Sequence, residues 1–189
     1  MRIILASNSP RRQELMSQIG IKFEVIPSNF KEDEVALPAA KMAEYFAYMK
    51  AKDVAESAKE AALVIGSDTI VYCDEIMGKP KNRKEAFCML TKLSGKHHLV
   101  ISGISIINTA TGESLTEHES TKVKMKELSS EEIIAYINTG EPEDKAGAYA
   151  IQGLGSLFVE EIRGDYFNVV GLPIFRLRNM LEHFGVKLI

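Results

Sequence analysis

Apolar residues along the chain alternate between short continuous runs and stripes at helical spacing, and the two are separated by turn and capping residues. Ile3, Ile4, Leu5 and Ala6 form a run that stops at Ser7-Asn8-Ser9-Pro10, which predicts a strand leading through a turn into a helix. With Ser9 as N-cap, Pro10 at the first helical position, Leu15, Met16 and Ile19 on one face and Gly20 as the stop, that helix covers residues 9–19. A second strand is expected over residues 23–26. Met42, Tyr45, Phe46 and Met49 then mark a long helix over about residues 38–58. Ala62-Leu63-Val64-Ile65-Gly66 reads as a central strand covered on both faces. Asn82 and Glu85 resemble a capping box, opening a helix that Gly95 closes. Residues 99–107 and 114–123, rich in Ser, Thr and Ile, predict a hairpin around residues 108–112. Ser129 and Glu132 open a helix ending at Gly140, residues 156–162 predict a strand, and Leu172-Pro173 leads into a last helix with Ile174, Leu177, Leu181 and Phe184 on one face. The sum is an α/β fold.

Composition narrows this pattern to a globular chain. A length of 189 residues suits one domain spanning the whole chain, and 46% hydrophobic with 26% charged residues leaves no disordered tract. The formal net charge of -3 gives no basic excess for a nucleic-acid or membrane partner, so any anion site must be local. The apolar start is too short for a secretory signal or a membrane span, which points to the cytoplasm. Cys73 and Cys88, unpaired in pattern, read as two buried thiols in a reducing compartment.

Three stretches could carry chemistry. At Ser7-Asn8-Ser9-Pro10-Arg11-Arg12, a strand ending in a helix start presents free backbone N–H groups beside two guanidinium groups. An ordinary capped helix with solvated arginines is the competing reading. Positive residues in a first turn oppose the helix dipole, however, and are easier to explain if an anion sits there. Next, Gly66-Ser67-Asp68-Thr69 follows an apolar run and places Asp68 where a strand end would present a metal ligand or general base. A locally bonded Asp that ends a strand would look the same. Finally, residues 144–155 hold three glycines that allow close backbone approach, with Gln152 offering a donor and an acceptor to a nucleobase edge; a tight structural loop is the alternative.

Other residues speak more weakly. Glu32, within Lys31-Glu32-Asp33-Glu34, and Lys50, on a long helix, read as solvated charges when taken alone. In Gly78-Lys79-Pro80 the proline disfavours a helical Lys79 and leaves its ammonium on a loop, free to meet a phosphate. His97 and His98 lack partners at zinc-ligand spacing and suit a strand end. The chain has no phosphate-binding G-x-x-x-x-G-K-[ST], dinucleotide G-x-G-x-x-G or hydrolase G-x-S-x-G motif, which takes support from those enzyme classes.

Taken in order, Ser7-Asn8-Ser9-Pro10-Arg11-Arg12-Gln13-Glu14-Leu15, Gly66-Ser67-Asp68-Thr69, Gly78-Lys79-Pro80, Leu93-Ser94-Gly95, Asp144-Lys145-Ala146-Gly147-Ala148-Tyr149, Ile151-Gln152-Gly153 and Gly171-Leu172-Pro173 resemble the successive motifs of the Maf family. Each is weak alone; the ordered set spans the chain and is specific. The resemblance implies a mixed sheet with flanking helices around a deep cleft, similar to the inosine-triphosphate pyrophosphatases. It also implies a divalent Mg²⁺ or Mn²⁺ and the release of pyrophosphate from a nucleoside triphosphate. The family's proton acceptor falls on Asp68, and its other active-site positions on Ser7, Arg11, Arg12, Glu32, Lys50 and Lys79. Arg12, Thr69 and Gln152 are similar to the branch acting on dTTP and UTP. Tyr166-Phe167-Asn168 is a departure in a variable stretch.

The roles implied are charge neutralisation by Arg11, Arg12, Lys50 and Lys79, metal or water holding by Glu32 and Asp68, and proton acceptance by Asp68. Whether Asp68 acts as base, ligand or both stays open at this stage. The expected partner is a nucleoside triphosphate, with neither nucleic acid nor membrane, and a homodimer is left open. Two other readings compete. Asp68 as a covalent phosphatase nucleophile lacks a second acid at position 70, where Ile70 stands. A nucleotide-sensing regulator of cell division, a role also associated with the family, would not require acidic residues at positions 32 and 68.

Overall fold

The computed structural model describes residues 1–33 and 35–189. Glu34, named above in its charged run, lies outside the described residues. Among the described residues, seven strands and six α-helices are built in the order β1 (Arg2–Leu5), α1 (Pro10–Gln18), β2 (Glu24–Val25), α2 (Ala39–Ser57), β3 (Ala62–Cys73), β4 (Glu75–Met77) and α3 (Arg83–Leu93). There follow β5 (His97–Asn108), β6 (Ser114–Met125), α4 (Ser130–Asn138), β7 (Val159–Arg163), α5 (Tyr166–Val170) and α6 (Ile174–His183). The strands form one mixed sheet in the order β2-β1-β3-β5-β6-β7, with β4 paired to β3. β1 runs parallel to β2 and to β3, whereas the β3–β4 and β6–β7 pairs are antiparallel. Among the described residues no helix is long and apolar enough to cross a membrane.

Two compact units divide the chain, and β3, β5 and β6 each contribute residues to both. The first comprises Met1–Asp68, Ser102–Glu119 and Gly171–Ile189. Its core includes Ile4, Ala6, Ala51, Val54, Ala62, Val64 and Ile107. Within it α2 presents Ala43, Ala47 and Ala51, spaced by four residues and fully buried, to glycines on two strands. A Cβ at Gly66 of β3 would lie 2.2 Å from the Ala47 carbonyl oxygen, and one at Gly103 of β5 would lie 2.1 Å from that of Ala43. Small residues on both sides let the helix backbone come down onto the strands.

The second unit comprises Thr69–Ile101 and Ser120–Val170. Its core gathers Leu90 and Leu93 of α3, Ile133 and Tyr136 of α4, and Val123, Met125, Tyr149 and Phe158. α4 carries a full capping box, in which Ser129 Oγ accepts from the Glu132 N–H and the Glu132 carboxylate accepts from the Ser129 N–H. At α3 the expected box is half made: Asn82 Oδ1 accepts from the Glu85 N–H, while the Glu85 carboxylate accepts from Lys81.

Several sequence expectations are corrected. β3 continues seven residues beyond Gly66, because Gly66-Ser67 marks the close approach of α2 and not a turn, and Ile70, Val71 and Tyr72 extend the strand to its pairing with β4. Asp68 is therefore a mid-strand residue. The strand expected over residues 156–162 begins only at Val159, since Gly153–Phe158 is 3-10 helix, closed in part by Ser156 Oγ donating to the Gly153 carbonyl at 2.6 Å. Ser9 sits at the N-cap of α1 but makes no side-chain capping bond. Cys73 is buried as expected, whereas Cys88 is exposed on α3, and both are free thiols. The departing stretch 166–168 is part of α5, where Asn168 is fully buried and its Nδ2 donates to the Val100 carbonyl and to Thr121 Oγ1, both at 2.9 Å.

Candidate active site

In the first unit, the approach of α2 to β3 sets the side chain of Lys50 against that of Asp68. The Lys50 ammonium lies 2.6 Å from Asp68 Oδ1 and 2.6 Å from Glu32 Oε1, so one cation holds two carboxylates. Asp68 is buried, and a carboxylate removed from water at mid-strand needs such a partner. Glu32 is more open, with 47% of its side chain exposed, and reaches the cluster from a segment without regular structure.

That segment is fastened by a residue that the sequence pattern did not single out. Asp53 Oδ2 on α2 accepts from Ser28 Oγ and from the Asn29 N–H, both at 2.7 Å, and the Phe30 N–H donates to Ser28 Oγ at 3.0 Å. These bonds hold the Asp53 carboxyl below its usual range, the Ser28 hydroxyl being the largest cause and the Asn29 N–H the next. Phe30 packs on Tyr45 and Phe46 of the same helix. Periodicity could not find Asp53, because its partners, the Ser28 hydroxyl and the Asn29 N–H, lie 25 and 24 residues away in the chain.

The start of α1 supplies positive charge to the same unit. Its first turn has no acidic residue and no side-chain capping bond, and it carries Arg11 and Arg12 at the positive end of the helix dipole. Arg12 is anchored: Nε donates to the Gly171 carbonyl at 2.9 Å and a terminal nitrogen donates to Ser7 Oγ at 3.2 Å. Ser7 Oγ also accepts from the Ser9 N–H at 3.2 Å. Gly171, at a φ of 126° that favours glycine, offers the same carbonyl to Ser67 Oγ at 3.4 Å. Desolvation lowers the Arg12 pKa, Asp68 and Glu32 raise it, and Arg11 lowers it, which places all four charges within electrostatic reach of one another. Ser7, Arg11, Arg12, Glu32, Lys50 and Asp68 thus belong to one charged cluster.

Thr69, Lys79 and Gln152 belong to the second unit. Lys79 is exposed on the loop after β4, as its proline predicts. The Gly147 N–H donates to the Gly78 carbonyl at 3.0 Å, and a Cβ on Gly147 would meet Val71 at 3.0 Å. Two sequence motifs, at residues 78–80 and 144–149, are therefore joined through Gly147, which also packs on Val71 of β3. Gln152 is half-buried between Ile151 and Gly153.

The two carboxylates of the first unit converge on one position that a cation already fills, and their hard oxygen donors suit a divalent metal. Among the described residues no group of three or more His, Cys, Asp or Glu side chains is gathered for one. A pair of carboxylates completed by substrate phosphates is a usual complement for Mg²⁺, so Glu32 and Asp68 fit such an ion.

Comparison with known proteins finds matches over the whole chain. A family model described as Maf-like protein matches residues 2–184. A dTTP/UTP pyrophosphatase of Acetivibrio thermocellus is 51% identical over 100% of this chain and 98% of its own length. One of Thermoanaerobacter sp. is 51% identical over 100% of both chains, and one of Alkaliphilus metalliredigens is 50% identical over 100% of this chain and 99% of its own. Among solved structures, a nucleoside-triphosphatase / dITP/XTP pyrophosphatase of Mycobacterium abscessus is 16% identical, covering 68% of this chain and 76% of that one at a TM-score of 0.44.

Proposed function

Since the chain belongs to the Maf-like protein family, we propose that it is a cytoplasmic nucleoside triphosphate pyrophosphatase that converts dTTP and UTP to the monophosphate and pyrophosphate. The observation that carries the reading is the Lys50 ammonium between Glu32 and Asp68 in the same unit as the uncapped, arginine-flanked start of α1. Phosphoanhydride hydrolysis needs charge held in place and one water oriented, and this cluster supplies both kinds of group.

The start of α1 binds phosphate oxygens through Arg11 and Arg12, helped by the positive end of the helix dipole. Arg12 does so from a fixed pose, since Gly171 and Ser7 hold its guanidinium. Lys50 keeps the Glu32 and Asp68 carboxylates together, which their mutual repulsion would otherwise oppose. Glu32 and Asp68 would hold a divalent metal, which would supply Lewis acidity and neutralise phosphate charge when bound. Asp68 takes the proton of the attacking water as the new P–O bond forms and the α–β bridging bond breaks, with pyrophosphate leaving. Lys79 adds a further charge to the phosphates, and Thr69 and Gln152 read the base. A nucleotide panel with Mg²⁺ tests this. Turnover of dTTP and UTP should run well ahead of CTP, ATP and GTP, and a purine preference or equal turnover of all bases would overturn the assignment.

A further inference from the structure

The loop that carries Gln152 is tied from both sides to one hydrogen-bonded pair. Tyr136 of α4, only 4% exposed and packed edge-on against Phe158, donates its hydroxyl to Glu141 Oε1 at 2.9 Å. The same hydroxyl accepts from the Ala150 N–H at 3.3 Å. Glu141 Oε1 also accepts from the Gly155 N–H, and Oε2 from the Leu154 N–H, both at 3.0 Å. Backbone groups two residues before Gln152 and two and three residues after it therefore end on Tyr136 and Glu141.

The loop has little freedom to take another path. Gly153 has a φ of 73°, and a Cβ there would lie 2.7 Å from Glu141 Oε2. A Cβ on Gly155 would lie 2.3 Å from the Ala150 carbonyl oxygen and 2.7 Å from the Tyr136 hydroxyl. Desolvation raises the Glu141 carboxyl, but the N–H groups of Gly155 and Leu154 and the Tyr136 hydroxyl lower it further, to below its usual value. Glu141 is then an acceptor for all three donors at neutral pH.

We propose that Glu141, acting with Tyr136, is the positioning residue for base recognition, fixing the backbone on both sides of Gln152 so that its amide meets the pyrimidine edge in one orientation. The inference rests on the reading of Gln152 as the base-reading residue. An amide can flip to exchange donor and acceptor, and thymine and cytosine differ by that exchange, so discrimination depends on neighbours that hold the amide, and those meet it only while the loop backbone keeps one path. Glu141 belongs to the second unit, whereas Glu32, Lys50 and Asp68 belong to the first, so loosening the loop should cost selectivity before it costs chemistry.

The test compares kcat/KM for dTTP and CTP in the unmodified protein and in Glu141→Gln, Tyr136→Phe and Gln152→Ala. The ratio of the two values does not depend on the fraction of folded protein, so simple destabilisation leaves it unmoved. In Glu141→Gln the dTTP to CTP ratio should fall about tenfold, mainly through a higher KM for dTTP, with pyrophosphate still the product. Tyr136→Phe should produce a smaller fall in the same direction, and it decides alone if Glu141→Gln does not fold, since the ring keeps its packing. An unchanged ratio in these variants, with a lowered one in Gln152→Ala, overturns the role of Glu141. An unchanged ratio in Gln152→Ala removes the base-reading role of Gln152, and the inference falls with it.

Discussion

Single side chains in this protein are fixed by partners, side-chain and backbone, that sequence pattern does not display. Asp68 and Arg12 were legible as candidates because their types and neighbours are unusual, but the partners that fix them, Lys50 and the Gly171 carbonyl, emerge only in three dimensions. His98 shows the same at a structural site. Read as a strand-end residue, it lies at the start of β5 buried to 3% exposure, with Nε2 2.7 Å from the Tyr149 hydroxyl and no hydrogen-bond partner for Nδ1 among the described residues. Burial first, and His97 second, push its pKa down from 6.5 to about 4, while burial raises that of the Tyr149 phenol. The native state therefore refuses a proton that the unfolded chain takes up below 6.5. Stability contributed by the neutral ring is fully present above that pH and is lost as pH falls toward 4, by up to about 3 kcal/mol. Urea unfolding at several pH values should show a steeper acid loss for the unmodified protein than for His98→Gln, whereas equal slopes would remove His98 as the cause.

At the level of elements, hydrophobic rhythm identified α2 and α6, composition and turn residues marked the β5–β6 hairpin, and a capping box marked α4. Such pattern failed where a local exception carried the meaning. Gly66-Ser67 looked like the end of a strand, yet it is the place where β3 makes room for α2, and the strand runs on to Cys73. The short pieces β4 and α5 were missed because three to five residues cannot display a period. The Gly66 contact also explains how Lys50 reaches Asp68, since a larger residue would push the helix away from the strand. Gly66→Ala should therefore lower stability by at least about 2 kcal/mol, because the clash is with backbone that cannot rotate aside. Gly20→Ala is a fair comparison, with no atom near its Cβ and only the strain of a φ of 74° to meet. Thermal unfolding of the two variants checks this, and a loss no greater at Gly66 than at Gly20 would contradict the packing account.

Across the whole molecule, the residues proposed for the activity come from motifs spread along the chain from Ser7 to Gln152. The order of those motifs was readable in the sequence, whereas the division into two units was not, because β3, β5 and β6 belong to both and no linker marks a boundary. The central claim is that this arrangement cleaves a pyrimidine triphosphate between its α and β phosphates with Asp68 as the proton acceptor. It is tested most directly by chromatographic analysis of the products from dTTP and Mg²⁺, with the unmodified protein and Asp68→Asn side by side. The account predicts dTMP and pyrophosphate in equal amounts, and a rate lower by about 10²-fold or more in Asp68→Asn, whose amide cannot take the proton. Formation of dTDP with orthophosphate, or undiminished pyrophosphate release by Asp68→Asn, would contradict it.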